Sequence, residues 1–148
     1  MELILWRHAE AHPGYPDNDR QLTAAGLRQA AATAQWLAPR LPAQYQVVAS
    51  PAARAQQTAR ALTDLFRTDD AVGTAATPDQ LLQAVAWPYG DETVIVVGHQ
   101  PTLGAVAALA LTGKTYGWAM ATGAIWWLAR AEHGRETLLR AALTPELL

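Results

Sequence analysis

Three short runs of apolar and β-branched residues in this chain each stop at a polar group. Glu2-Leu3-Ile4-Leu5-Trp6 meets Arg7-His8, Tyr45-Gln46-Val47-Val48-Ala49 meets Ser50-Pro51, and Glu92-Thr93-Val94-Ile95-Val96-Val97 meets Gly98-His99. Runs of this length and composition read as strands of a parallel sheet covered on both faces. Between them the spacing turns helical. A first helix is predicted from Thr23 to Ala38, with Leu27, Ala30, Ala31, Ala34 and Leu37 on its inner face and Pro39 stopping it. A second follows Ser50-Pro51, with Ser as cap and Pro at the first helical position, and buries Ala55, Ala59, Leu62 and Leu65. Thr77-Pro78-Asp79-Gln80 fits a capping box that opens a third helix, ending near Trp87-Pro88. A fourth runs from near Thr102 to Gly113. Gly123 to Ala129 and Glu136 to Leu143 close the chain as a pair of strands, and Val72 to Ala76 reads as a short edge strand. Strands alternating with helices imply an α/β fold, a three-layer α/β/α sandwich with a mostly parallel central sheet, and residues 1–148 read as a single domain without repeat or linker.

Ligand chemistry in such sheets collects at the carboxyl ends of the strands. His8 and His99 stand at two of those ends and Arg7 beside one of them. Arg54, in the first turn of the second helix, has a Cβ tilted toward the helix N-terminus, so its guanidinium reaches back over the same edge. Two guanidiniums, two imidazoles and free helix amides suit a dianionic phosphoryl group. Residues 9 to 21, with Pro13, Gly14, Pro16, Asp17, Asn18 and Asp19, form a turn-rich stretch over that edge.

Composition narrows the partners. A net charge of −2 gives no bulk attraction to nucleic acid or to an anionic membrane, so anion affinity is local. The chain has no cysteine, which removes disulfides, thiolate catalysis and cysteine metal sites. No apolar segment approaches the ~18 residues that span a bilayer, and no secretory leader pattern opens the chain, so a cytoplasmic location is expected. His8 and His12 have the spacing of a helical metal pair, but Pro13-Gly14 argues against a helix there, and no metal is expected. His12 and His133 sit in turn-rich stretches and read as solvated. Thr23 is explained as a helix cap. Glu10 either orients a catalytic group or faces solvent. Trp126 and Trp127, adjacent in a strand, must face opposite sides of the sheet, and core packing explains most of the six tryptophans.

Arg7-His8-Ala9-Glu10, Ser50-Pro51-Ala52-Ala53-Arg54-Ala55-Gln56-Gln57-Thr58-Ala59 and Val97-Gly98-His99-Gln100-Pro101 resemble, in order, the three signature segments of the histidine phosphatase superfamily. Short length and the Asp19-Arg20-Gln21-Leu22-Thr23-Ala24-Ala25-Gly26 segment make the chain most similar to the SixA-type phosphohistidine phosphatases. The resemblance implies the phosphoglycerate mutase-like fold and a catalytic set of His8, Arg7, Arg54 and His99, with Arg7, Arg54, His99, Gly98 and Glu10 lining the substrate site. It also decides what the residue types leave open, which histidine attacks: His8 is implied as nucleophile and His99, as an imidazolium, as stabiliser of the transition state.

Superfamily members that cleave phosphate esters usually carry a carboxylic acid between the second and third segments. Here Asp64, Asp69, Asp70, Asp79, Asp91 and Glu92 fall in that interval, none in a recognisable acid motif. An alkoxide leaving group needs that proton, whereas a protonated phosphoramidate releases its nitrogen base far more easily. The expectation is therefore a phosphatase without metal or cofactor, acting on a phosphohistidine-containing protein of a phosphorelay or phosphotransferase system. Its rivals are a small-metabolite phosphomonoesterase and a noncatalytic phosphate-binding module.

Overall fold

The computed structural model describes residues 1–131 and 134–148. Among them β1 (Glu2–Arg7), β2 (Gln46–Ala49), β3 (Arg67–Thr68), β4 (Thr93–Gly98), β5 (Ile125–Arg130) and β6 (Thr137–Leu143) form one sheet in the order β3-β2-β4-β1-β5-β6. The first four strands run parallel, while β5 pairs antiparallel with β1 and β6 with β5. Helices α1 (Ala24–Leu37) and α2 (Ala53–Arg60) cover one face, α3 (Pro78–Ala84) and α4 (Thr102–Thr112) the other. This is the expected α/β/α sandwich.

Alternation along β1 divides the core. Leu3 and Leu5 join Val94, Val96, Leu81, Leu103 and Val106 on the α3/α4 side. Ile4 and Trp6 join Ile95, Val97, Ala34, Leu37, Ala55 and Ala59 on the α1/α2 side. All four β1 side chains are fully buried, and each contributes about 1.5–3 kcal/mol relative to exposure. Trp126 and Trp127 divide the same way, Trp126 against the first cluster and Trp127 within the second.

Register aligns the strand ends. Arg7 lies opposite Gly98 and Ala49 opposite Val97. The pairing continues one step past the strands, for His8 N donates to the Gly98 carbonyl and Ser50 N to that of Val97, each at 3.0 Å. His8, Ser50 and His99 therefore leave the sheet side by side.

Several expectations need correction. The second helix begins at Ala53 with Ala52 as its uncapped N-cap, because Ser50 and Pro51 complete a turn in which Ser50 Oγ accepts from Ala52 N at 3.1 Å. Leu65 is 86% exposed, since α2 ends at Arg60 and the chain has already left the core. On α1, Leu27 and Ala31 face solvent while Gly26 and Thr33 take buried positions. The short edge strand is β3, two polar residues with no hydrophobic signal, and Val72 instead fills the α3/α4 core from a 3-10 turn. α3 stops at Ala84, before Trp87-Pro88. Thr23 and the Thr77/Gln80 box cap α1 and α3 as expected. His133 lies outside the described residues, and His12 is exposed.

Two glycines fix the segments that flank the strand ends. A Cβ on Gly26, in the first turn of α1, would collide with the Glu10 carbonyl, and one on Gly104, in the first turn of α4, with the Trp118 carbonyl. Both obstacles are backbone and cannot rotate away. Gly26→Ala and Gly104→Ala should each destabilise the protein by about 3 kcal/mol, the upper end of ordinary overpacking costs. Urea denaturation of each variant measures the loss, and wild-type stability in either would show that the close approach is not maintained.

Candidate active site

The sequence places His8, Arg54 and His99 on three different elements, and the fold brings them together around a buried guanidinium. Arg54 is 4% exposed. Its Nε donates to His8 Nε2 at 3.3 Å, and its NH2 contacts His99 Nδ1 at 3.4 Å. The two imidazole rings lie 5.1 Å apart, tilted by 55°. An arginine has only donors, so both facing nitrogens are acceptors. His8 accordingly carries its proton on Nδ1, which donates to the Ala9 carbonyl at 2.8 Å, and His99 carries its own on Nε2, which donates to Ser50 Oγ at 2.7 Å.

Burial holds both rings in the neutral form. Desolvation, opposed by the Ala9 hydrogen bond and reinforced by Arg54, Arg7 and Arg20, brings His8 down to about 4. Desolvation, with His8 and Arg54 beside it, brings His99 down to about 3 against the pull of Asp17. Both rings are therefore neutral at neutral pH, through burial first and the neighbouring guanidinium of Arg54 as well.

Arg7 is half-buried at the edge of the cluster. Its NH1 donates to the Met120 carbonyl at 2.6 Å, while its Nε is buried without a hydrogen-bond partner among the described residues. Gly98 lies under the site and packs against the Val72 carbonyl and Leu103, with its own carbonyl taken by His8 N. Glu10 is not brought into the cluster. Its carboxylate accepts from the Thr23 hydroxyl at 2.7 Å, at the N-terminus of α1.

Three residues escape the sequence reading. Ser50, read as a helix cap, is the partner of His99. Thr58, fully buried, donates to the Arg54 carbonyl at 2.8 Å and accepts from Ala9 N at 3.0 Å, tying α2 to the turn that holds His8. Asp17, in a 3-10 turn (Asp17–Asp19), accepts Arg54 NH2 at 2.9 Å on its carboxylate and NH1 at 2.7 Å on its carbonyl. No periodic signal links positions 17 and 54, although the turn-rich stretch was expected over this edge. The larger surface hollows, about 720 and 770 Å³, open at the amino ends of the strands beside Tyr45 and Met1 and include none of these side chains. Chemistry, rather than concavity, marks the site. Among the described residues no group of three or more histidines and carboxylates could hold a metal ion, and no helix is long and apolar enough to cross a membrane.

Residues 3–72 match the model of the histidine phosphatase superfamily, branch 1. The chain is 36% identical over 125 residues to an uncharacterized protein of Mycobacterium leprae, covering 73% of this chain and 71% of that one. The structure of a putative phosphohistidine phosphatase SixA from Nakamurella multipartitia superposes with a TM-score of 0.80 at 32% identity, covering 97% of this chain and 95% of that one. The protein histidine phosphatase SixA complexed with tungstate shares the fold at a TM-score of 0.85 and 22% identity, with 99% of both chains covered. The chain belongs to the histidine phosphatase superfamily. Within it, solved structures named as putative SixA phosphohistidine phosphatases are among the chain's structural neighbours.

The depressed histidines tie stability to pH. Unfolding returns each ring to about 6.5, so between that value and the folded ones, about 4 and about 3, the unfolded chain binds more protons. Their contribution is intact above about pH 6.5 and is lost as the pH falls toward the folded values. His8→Asn and His99→Asn should each flatten the decline in urea midpoint between about pH 7 and pH 5. An unchanged slope in both would show that the rings titrate normally in the fold.

Proposed function

We propose that residues 1–148 act as one phosphohistidine phosphatase domain that dephosphorylates a phosphohistidine-containing protein through a phosphoenzyme formed on His8. The observation that carries the reading is the state of His8. Its Nδ1 proton is held by the Ala9 carbonyl, so the unprotonated Nε2 faces the cluster with Arg54 Nε 3.3 Å away. An imidazole held in that tautomer is a nucleophile at neutral pH. Nε2 attacks phosphorus in line, the substrate P–N bond breaks, and the leaving imidazole takes the bonding electron pair. Water then attacks the phosphorus of the phosphoenzyme, and His8 is regenerated as inorganic phosphate leaves.

Arg7 and Arg54 neutralise the nonbridging oxygens. A phosphoryl dianion beside His99 opposes the causes that depress it and favours the imidazolium that donates to the equatorial oxygens. With this positive charge supplied by side chains, turnover needs no metal. The carboxylates support a nitrogen leaving group. Asp17 is held below the usual carboxylate range by Arg20 and Arg54, and Asp69 by Ala71 N and Arg67, so neither is poised to protonate an alkoxide. The similarity to SixA supports this substrate, and the reading carries with it a cytoplasmic location.

His8→Ala should abolish turnover of a phosphohistidine protein with the fold intact, and Arg54→Lys should lower kcat/KM about 100-fold, since an ammonium cannot give parallel bonds to two oxygens. EDTA should leave activity unchanged and vanadate should inhibit. Trapping the phosphoenzyme and mapping its label decides the assignment: label on His99 would reverse the roles. Alkyl phosphates cleaved as fast as aryl phosphates would replace this reading with a metabolite phosphatase.

A further inference from the structure

Arg54 already holds an anion. Its NH1 and NH2, the pair that a phosphoryl group engages in a bidentate contact, donate to the carbonyl and carboxylate of one residue, Asp17, at 2.7 and 2.9 Å. A phosphoryl group and this carboxylate compete for the same fork. Of the two partners Asp17 is the one that can move. Its side chain is 56% exposed against 4% for Arg54, and its 3-10 turn buries no residue. Its other oxygen lies 3.0 Å from Arg20 NH1, and Arg20 is itself tied to the His12 carbonyl at 2.7 Å. A carboxylate that leaves Arg54 therefore keeps a cationic partner at the rim.

The geometry points to Asp17 as a specificity-determining residue: a resident anion on Arg54 that the phosphoryl group displaces, and whose charge at the rim turns away free phosphate and carboxylate-bearing phosphoesters. The inference rests on reading the cluster as a phosphoryl site. Arg7, Arg54 and, at the rim, Arg20 bring three positive charges, the histidines are neutral, and Asp17 cancels one. A unit charge within about 5 Å of a dianion costs enough, even at an effective dielectric constant near 40, to change affinity by tenfold or more. A phosphohistidine substrate offsets that penalty in its protonated form, in which the second ring nitrogen carries both a positive charge and an N–H that donates to the carboxylate. Selectivity here comes from a repulsive element set against the wrong substrates.

Asp17→Asn keeps acceptors for both Arg54 nitrogens when its amide oxygen faces Arg54, and gives up the charge together with the acceptor for Arg20 NH1. Inorganic phosphate binding, followed by calorimetry, should tighten at least about tenfold in Asp17→Asn. The kcat/KM for O-phosphoserine should rise relative to phenyl phosphate, and that for a phosphohistidine peptide should fall relative to it. Asp17→Ala serves as a second variant, and both are compared at matched thermal melts. Phosphate binding unchanged or weakened in both variants overturns the inference alone, since calorimetry reads binding whichever histidine attacks. If wild type and variants all fail to bind phosphate, the phosphoryl-site reading falls with it.

Discussion

A guanidinium removed from water must find acceptors for its donors, and the site is organised by how Arg54 does so. Four of its five N–H groups are met by His8, His99, the Asp17 carbonyl and the Asp17 carboxylate. The donors dictate the tautomers of both imidazoles, because a ring nitrogen facing an arginine can only accept. Burial is the main cause that keeps both rings neutral, and the same cation reinforces it. Its own position is fixed in turn by Thr58, which links the Arg54 carbonyl to the Ala9 amide one residue beyond His8.

The strand ends were legible because the signal is local. An unbroken apolar run followed by Arg-His or Gly-His states its own end, and a parallel sheet delivers such ends to one edge. The helical faces of α1 and α2 were legible only in outline. Small residues give weak periodicity, so Leu27 and Ala31 were assigned inward where Gly26 and Thr33 turn in, and Leu65 was carried on a helix that stops five residues earlier. Ser50-Pro51 misled because a serine before a proline has the chemistry of a cap, and nothing local says that its hydroxyl is claimed by a histidine from a strand 49 positions away. Asp17 and Glu10 show the same limit. Both are carboxylates near the first motif, and only the path of the chain decides that Asp17 reaches the guanidinium while Glu10 turns back to Thr23.

The segments beside the site are anchored to opposite layers of the sandwich. The Glu10 carbonyl rests on the bare backbone of Gly26 in α1, and the Trp118 carbonyl on that of Gly104 in α4. Gln100 holds the second contact from both sides, donating to the Trp118 carbonyl at 2.8 Å and accepting from Gly104 N at 2.7 Å. Since the two helices pack on different faces of one sheet, the separation of the two flanks is set by sheet thickness and helix packing rather than by the loops themselves.

The sheet also ends in a particular way on each side. β3 offers two residues, Arg67 and Thr68, and β6 carries Arg140 next to a β-bulge in its pairing with β5 at Trp127/Leu128. A long flat strand with unpaired amides is a template on which another chain can add, and charge, brevity and a bulge each spoil it. The strands that carry the chemistry, β1 and β4, lie inside the sheet with neighbours on both sides. The fold therefore keeps the apolar runs of β1 and β4 where no second molecule can extend them, and leaves at its borders a strand of two residues and one that a bulge and Arg140 interrupt.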